Sequence, residues 1–203
     1  MSDGFFHWYR SGWVPADVER LVRDLEAQDL RLSNPATGLI TQIASGPESW
    51  GEQVPVSRDQ FLSDAALTDD GEINFQLWLS GDTDVFTRLR RLGCGVVVVE
   101  FGLDGLSLQE QAHVVRAVSR VIHADLTRCI GFVLDRQGAT EDVDWDDVVL
   151  SGASHLDSWP DALAVRPEIL LRHPQLAAAQ GTEMPPLILV GRLLPPTDHG
   201  CDA

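Results

Sequence analysis

The chain reads as an α+β domain, a largely antiparallel sheet with a central meander and helices packed on at least one face. Three observations predict this. Between Glu72 and Asp104, three runs of strand character follow one another across short turns, and strands joined so tightly pair antiparallel. Val14 to Leu25 and Leu108 to Ile122 repeat apolar residues at the spacing of amphipathic helices. The 203 residues are 44% apolar, enough to bury a core beneath both.

Taken in order, Phe5, Phe6, Trp8 and Tyr9 predict a short strand. A helix follows Gly12, with Pro15 in its first turn, where the missing N–H costs nothing. Its stripe is Val14, Val18, Leu21, Val22 and Leu25, and its outer face carries the pairs Glu19/Arg23 and Arg20/Asp24. Asn34-Pro35 marks a turn before a strand from Thr37 to Ala44. From Ser45 to Gly71 the sequence is irregular, with one helical turn near Gln60 to Leu62; long irregular stretches of this kind tend to be functional.

In the meander, Ile73, Phe75, Leu77 and Leu79 alternate with Asn74, Gln76 and Trp78, the pattern of a strand with one polar face. The run from Asp84 to Leu92 also fits a helix, but so short a segment between two glycine turns suits a hairpin strand. Val96 to Phe101 is β-branched enough to be central. Ser107 and Glu110 form a capping box for a helix reaching about Ala124. Cys129 to Leu134 predicts another strand, and Asp146 to Leu150 a helical turn. Beyond Trp159, prolines 160, 167 and 174 cut the chain into short helical pieces, and Leu187 to Val190 forms a last strand. Residues 1–194 are read as a single α+β domain and 195–203 as a disordered tail.

Charge restricts function. The chain has no lysine; fifteen arginines face thirty-one Asp and Glu, for a net charge of −16. Such a surface repels phosphate backbones and anionic headgroups, which argues against nucleic-acid and membrane roles and for a cationic partner. Cys94, Cys129 and Cys201 are far apart and lack a C-x-x-C pair, so neither a disulfide framework nor a zinc site is expected. Reduced thiols, an N-terminus unlike a signal peptide and no apolar run near ~20 residues point to a cytoplasmic protein. No G-x-S-x-G elbow, Walker loop or dinucleotide fingerprint is present, and the histidines never recur at i,i+4. No cofactor and no metal are expected.

The densest acidic segment is Glu141-Asp142-Val143-Asp144-Trp145-Asp146-Asp147. It opens like a calcium loop but has Asp147 where glycine is needed and Ala153 where the closing glutamate is needed. Its plain structural reading is an acidic helix N-terminus. Its functional reading is a recognition surface, with Trp145 as anchor and Asp142, Asp144, Asp146 and Asp147 around it. Asp82 and Asp84 at the meander turn form a possible second edge, and Trp78 a platform if its polar strand face is open.

The expected function is therefore that of a non-catalytic binding protein masking a basic protein partner, in the manner of an immunity protein or antitoxin. The rival is a metal-assisted hydrolase built on Glu100, Asp104 and Asp135 near strand ends. A third possibility is a subunit whose exposed strand pairs with its own copy. The oligomeric state is not legible from sequence.

Overall fold

A computed structural model describes residues 4–44, 51–68 and 71–193. The strands are β1 (Phe5–Arg10), β2 (Ile40–Ile43), β3 (Gln53–Val56), β4 (Glu72–Trp78), β5 (Asp84–Arg91), β6 (Val97–Gly102), β7 (Cys129–Asp135), β8 (Ala162–Val165), β9 (Gly181–Met184) and β10 (Leu187–Gly191). The helices are α1 (Ala16–Glu26), α2 (Arg58–Asp64), α3 (Leu108–Ala124), α4 (Trp145–Leu150), α5 (Pro167–Arg172) and α6 (Pro174–Ala177). All ten strands join one antiparallel sheet in the order β3-β2-β4-β5-β6-β1-β7-β8-β10-β9. The fold is α+β, as the sequence predicts.

The meander is present, with β5 between β4 and β6, so the outer two run in the same direction. Sequence order breaks at β1, which sits between β6 and β7. The N-terminal strand is thereby central, and its alternation matters on both faces.

On one face, Phe6 and Trp8 join Phe75, Leu77, Val97, Val99 and Phe101 beneath the stripes of α1 and α3. Leu21, Val22 and Leu25 from α1 meet Val114, Val118 and Ile122 from α3 in this core. Helix α3 starts on the expected capping box: Ser107 Oγ accepts the Glu110 N–H, and the Glu110 carboxylate accepts the Ser107 N–H. Phe61 of α2 meets Phe75 edge to face at 4.8 Å between ring centroids.

On the other face a second core gathers Tyr9, Val98, Val133, Leu163 and Val165 under Trp145, Val148, Val149, Ile169 and Leu176 of α4, α5 and α6. These three short helices follow β7 and β8 and rest on that half of the sheet.

Two expectations need correction. The irregular stretch after Ser45 contains strand β3 and a two-turn α2, where only one helical turn was expected; residues 45–50 and 69–70 lie outside the described residues. Pro55 is tolerated in β3 because that strand is an edge. The prolines after Trp159 predict helical pieces, and α5 and α6 do each begin on a proline. It also contributes β8 and β9. The Ala-rich β8 has little strand propensity of its own; hydrogen-bonded neighbours on both sides hold it extended. The expected tail lies outside the described residues.

Candidate partner-binding groove

Where the short helices stop, the second face turns polar. Each strand alternates, so residues opposite the main core stand together: Phe5, His7 and Tyr9 on β1, Glu100 and Gly102 on β6, and Asp84, Phe86, Arg88 and Arg90 on β5. The register sets Arg88, Glu100 and His7 in one row across three strands, with Asn74 of β4 completing it. The first turn of α4 and the loop before it form the opposite wall. Between them lies a groove of about 650 Å³, a size typical of ligand sites. Its lining includes six carboxylates, those of Asp84, Glu100, Asp104, Glu141, Asp144 and Asp146, against the single guanidinium of Arg90.

The deep end is neutralised from within. Arg90 Nη1 and Nη2 donate to Asp146 Oδ2 and Oδ1 at 2.6 and 2.7 Å, and Arg90 Nε donates to Glu100. Tyr9 Oη donates to Asp146 Oδ1 at 2.9 Å. Arg88 adds a longer contact, 3.8 Å, to the far oxygen of Glu100 and pairs outward with Glu72. Burial alone would raise the Asp146 carboxyl, but the Arg90 fork and Tyr9 reverse this and hold it below the usual carboxylate range. Burial pushes the Tyr9 phenol up, and Asp146 adds to that push. For His7, burial lowers the imidazole pKa despite the nearby Glu100 charge, and its Nδ1 is buried without a hydrogen-bond partner.

The shallow end is different. Among the described residues Asp84 accepts a neutral hydrogen bond there, from Gln76 Nε2 at 2.9 Å. Asp104 is exposed beyond β6, and Asp144 is exposed as the N-cap of α4, accepting the Asp147 N–H at 3.0 Å. Among the described residues, these three carboxylates enter no ion pair. Beside them the Phe86 ring is 44% exposed and lies against Gly102, which has no side chain to cover it.

The residues expected from sequence are thus divided. Trp145, expected as the exposed anchor, is only 4% exposed and belongs to the second core; its Nε1 donates to Thr140 O at 3.2 Å. It opens α4, whose apolar side lies on the sheet, so the ring points inward. It lines the groove as a buried wall and offers no protruding anchor. Asp84, Asp144 and Asp146 reach the groove, but Asp146 arrives already paired. Asp147 turns away to accept the Ser151 and Ser154 hydroxyls at 2.5 and 2.6 Å. Asp142 and Asp82 are exposed outside the groove lining. Trp78 is half-buried outside that lining, and its strand-face neighbours Asn74 and Gln76 are buried, so no open platform stands there.

Of the rival set, Glu100 and Asp104 share the groove but Asp135 does not. Asp135 is buried at the end of β7, where it accepts the Gln137 and Thr140 N–H groups and the Thr140 hydroxyl. Among the described residues no group of three His, Cys, Asp or Glu side chains is placed to hold a metal ion. No described helix is long and apolar enough to cross a membrane.

His7, Tyr9, Phe86 and Arg90 were not singled out from sequence. The signal existed: polar-tipped residues alternate with Phe6 and Trp8 in β1, and with Val85, Thr87 and Leu89 in β5. The sequence did not reveal that β1 would lie beside β6 and align the two sets.

No protein-family model and no curated protein matches this chain. Among solved structures, a chain from the complex described as the toxic C-terminal tip of CdiA from Pseudomonas aeruginosa with its immune protein is similar at 14% identity. The match covers 68% of this chain and 91% of that one, with a TM-score of 0.34. A likeness of that size assigns neither a fold family nor a role.

Proposed function

We propose that this protein binds a basic protein partner, and that the groove between α4 and the β5–β6–β1 face is where the partner docks. An immunity protein or antitoxin, which covers the cationic cleft of an enzyme, is the class with this chemistry. One observation carries the reading. The groove is lined by six carboxylates and one guanidinium, and three of those carboxylates, Asp84, Asp104 and Asp144, enter no ion pair among the described residues. Unpaired charge collected in a concavity focuses the field of a chain already at −16, and attracts cations more strongly than the same charges on a flat surface.

The paired interior has a separate task. Arg90 and Tyr9 hold Asp146 and Glu100 in fixed positions, so the groove keeps its shape before a partner arrives, and a preformed surface loses less entropy on binding. Steering by the rim would raise the association rate, and contacts inside the groove would set how long the complex lasts.

The test is affinity capture from the source cell at about 50 mM and about 300 mM salt, because rim charges are screened over distances of order 10 Å. The wild-type protein should retain a basic protein at low salt and lose most of it at high salt. The triple variant Asp84→Asn, Asp104→Asn, Asp144→Asn should retain little at either; asparagine still caps α4, so the fold is kept. An identical set of proteins on the wild type and the triple variant, or a retained protein that is acidic, would overturn the reading.

A further inference from the structure

We propose that the exposed end of the groove is a receptor for a guanidinium group, taking an arginine side chain of the partner in preference to lysine. This rests on the binding reading above and names the chemistry of its site.

Two independent features meet at that end, and a third lies next to it, deeper in the groove. The first is charge: Asp84, Asp104 and Asp144 border it without ion pairs of their own among the described residues. The second is an aromatic surface. Phe86 keeps 44% of its area in solvent beside Gly102, leaving room along the ring where another residue would have placed a side chain. A planar cation can stack on such a ring, and guanidinium stacks better than ammonium because it is flat and weakly hydrated. The third is a buried ring nitrogen without a hydrogen-bond partner. His7 lines the groove, its ring 4.4 Å from that of Phe5, and its buried Nδ1 has no partner. Burial favours the neutral imidazole, which keeps a lone pair on one ring nitrogen. The ring would have to turn for that nitrogen to meet an N–H donor entering the groove.

The molecule already builds guanidinium sites from the same parts. Arg10 lies between the Trp8 and Trp13 rings, 5.6 and 5.1 Å from their centroids, and pairs with Asp17 and Asp125 at 2.9 and 2.7 Å. Arg90 forks onto Asp146 beside Tyr9. In both, carboxylates grip the edge of the guanidinium and an aromatic side chain adjoins it. The exposed end of the groove repeats this arrangement without an arginine in it. Its carboxylates stand at more than one point of the rim, which suits the several donors of a guanidinium better than one compact ammonium.

The probes are three short blocked peptides, identical except for a central arginine, lysine or citrulline, titrated into the whole protein and followed by calorimetry and backbone amide shifts. The arginine peptide should bind about tenfold more tightly than the lysine peptide, because only the fork combines stacking with bidentate pairing. The uncharged citrulline peptide should bind more weakly than either. Shifts should centre on His7, Phe86, Gly102 and Asp104. Asp84→Asn with Asp104→Asn should weaken the arginine peptide about tenfold. Gly102→Ile should block it with no change in charge; a Cβ there meets nothing closer than 3.5 Å, so the strand accepts it. Asp82→Asn, outside the groove, should have no effect. Should Gly102→Ile fail to fold, Phe86→Ala decides, since that ring is exposed.

Equal binding of arginine and lysine peptides, shifts that map elsewhere, no binding at all, or full binding to Gly102→Ile would each overturn the inference. The two proposals fail separately. A basic partner held undiminished by Gly102→Ile leaves the binding reading standing and removes the receptor. An arginine peptide bound as described, with no basic protein captured, does the reverse.

Discussion

The clearest residue-scale lesson is that Trp145 and Asp146, adjacent in the most acidic segment of the chain, are both already committed, the ring to the second core and the carboxylate to an internal ion pair. Asp146 carries a bidentate arginine and a tyrosine hydroxyl. The physics of a shared cation predicts what happens if Arg90 is lost. Arg90→Met removes the cation that Asp146 and Glu100 share, leaving only the Tyr9 hydroxyl on Asp146 and the longer Arg88 contact on Glu100, and denaturant unfolding should register a loss of about 2–4 kcal/mol. That is below the figure for a fully buried pair because both carboxylates keep some exposure to water, which screens them. A variant as stable as the wild type would show the network to be ornamental. The same bonds set a pH dependence. Because its folded pKa is depressed, Asp146 contributes stability that is present above its unfolded value of about 3.9 and is lost as pH falls through the folded value. Asp17, held down by the Val14 N–H together with Arg128 and Arg10 against the opposing effect of burial, adds to the same acid loss. Urea midpoints should therefore fall below about pH 4, and Asp146→Asn should flatten that decline while lowering stability at neutral pH.

At the scale of elements, β4 and α3 show how much depends on one side of a strand or helix. Phe75 is buried against Phe61 of α2 and stands in the core shared with α3. Phe75→Ala should cost about 3–5 kcal/mol in equilibrium unfolding, through lost burial and the cavity left between sheet and helix. Ser107→Ala, which removes the cap of α3, should cost about 1 kcal/mol with no change in the sheet. If Ser107→Ala proved the costlier of the two, the core assignment of β4 would be wrong. The segment leading into α4 carries a negative expectation. It lacks the glycine and the closing glutamate of a calcium loop, Asp144 is spent on capping, and Asp147 on two serine hydroxyls. Titration with calcium should give no saturable heat at micromolar metal, whereas a tight single-site isotherm abolished by Asp144→Asn would refute this.

For the whole molecule, the division of acidic residues between internal pairs and the open rim predicts how binding responds to salt. Association with a basic partner should slow steeply as salt rises, and the Asp84, Asp104 and Asp144 triple variant should lose on-rate and most of that salt slope. Asp142→Asn and Asp82→Asn, exposed outside the groove, should change the rate only slightly, through the overall field. Stopped-flow or surface-based kinetics over a salt series would check this. Equal slopes for the two sets of variants would mean that the field of the whole chain matters and the groove does not.

Local patterns in the sequence determined a good deal. Alternation named the side of β4 that joins the main core, glycine turns marked the meander, and the Ser107–Glu110 pair marked the start of α3. Each depends on neighbours a few residues apart, whose geometry is set by the backbone period alone. Three things were decided only by the tertiary structure: the placing of β1 between β6 and β7, the turning of Trp145 into a second core, and the spending of Asp146 on Arg90. All three depend on which distant strands come to lie side by side. Period two says that a strand has a polar face, but not which helices will cover it or which charges will meet there. Acidity was therefore legible from the chain, and which acids are left without an ion pair among the described residues was decided by the sheet.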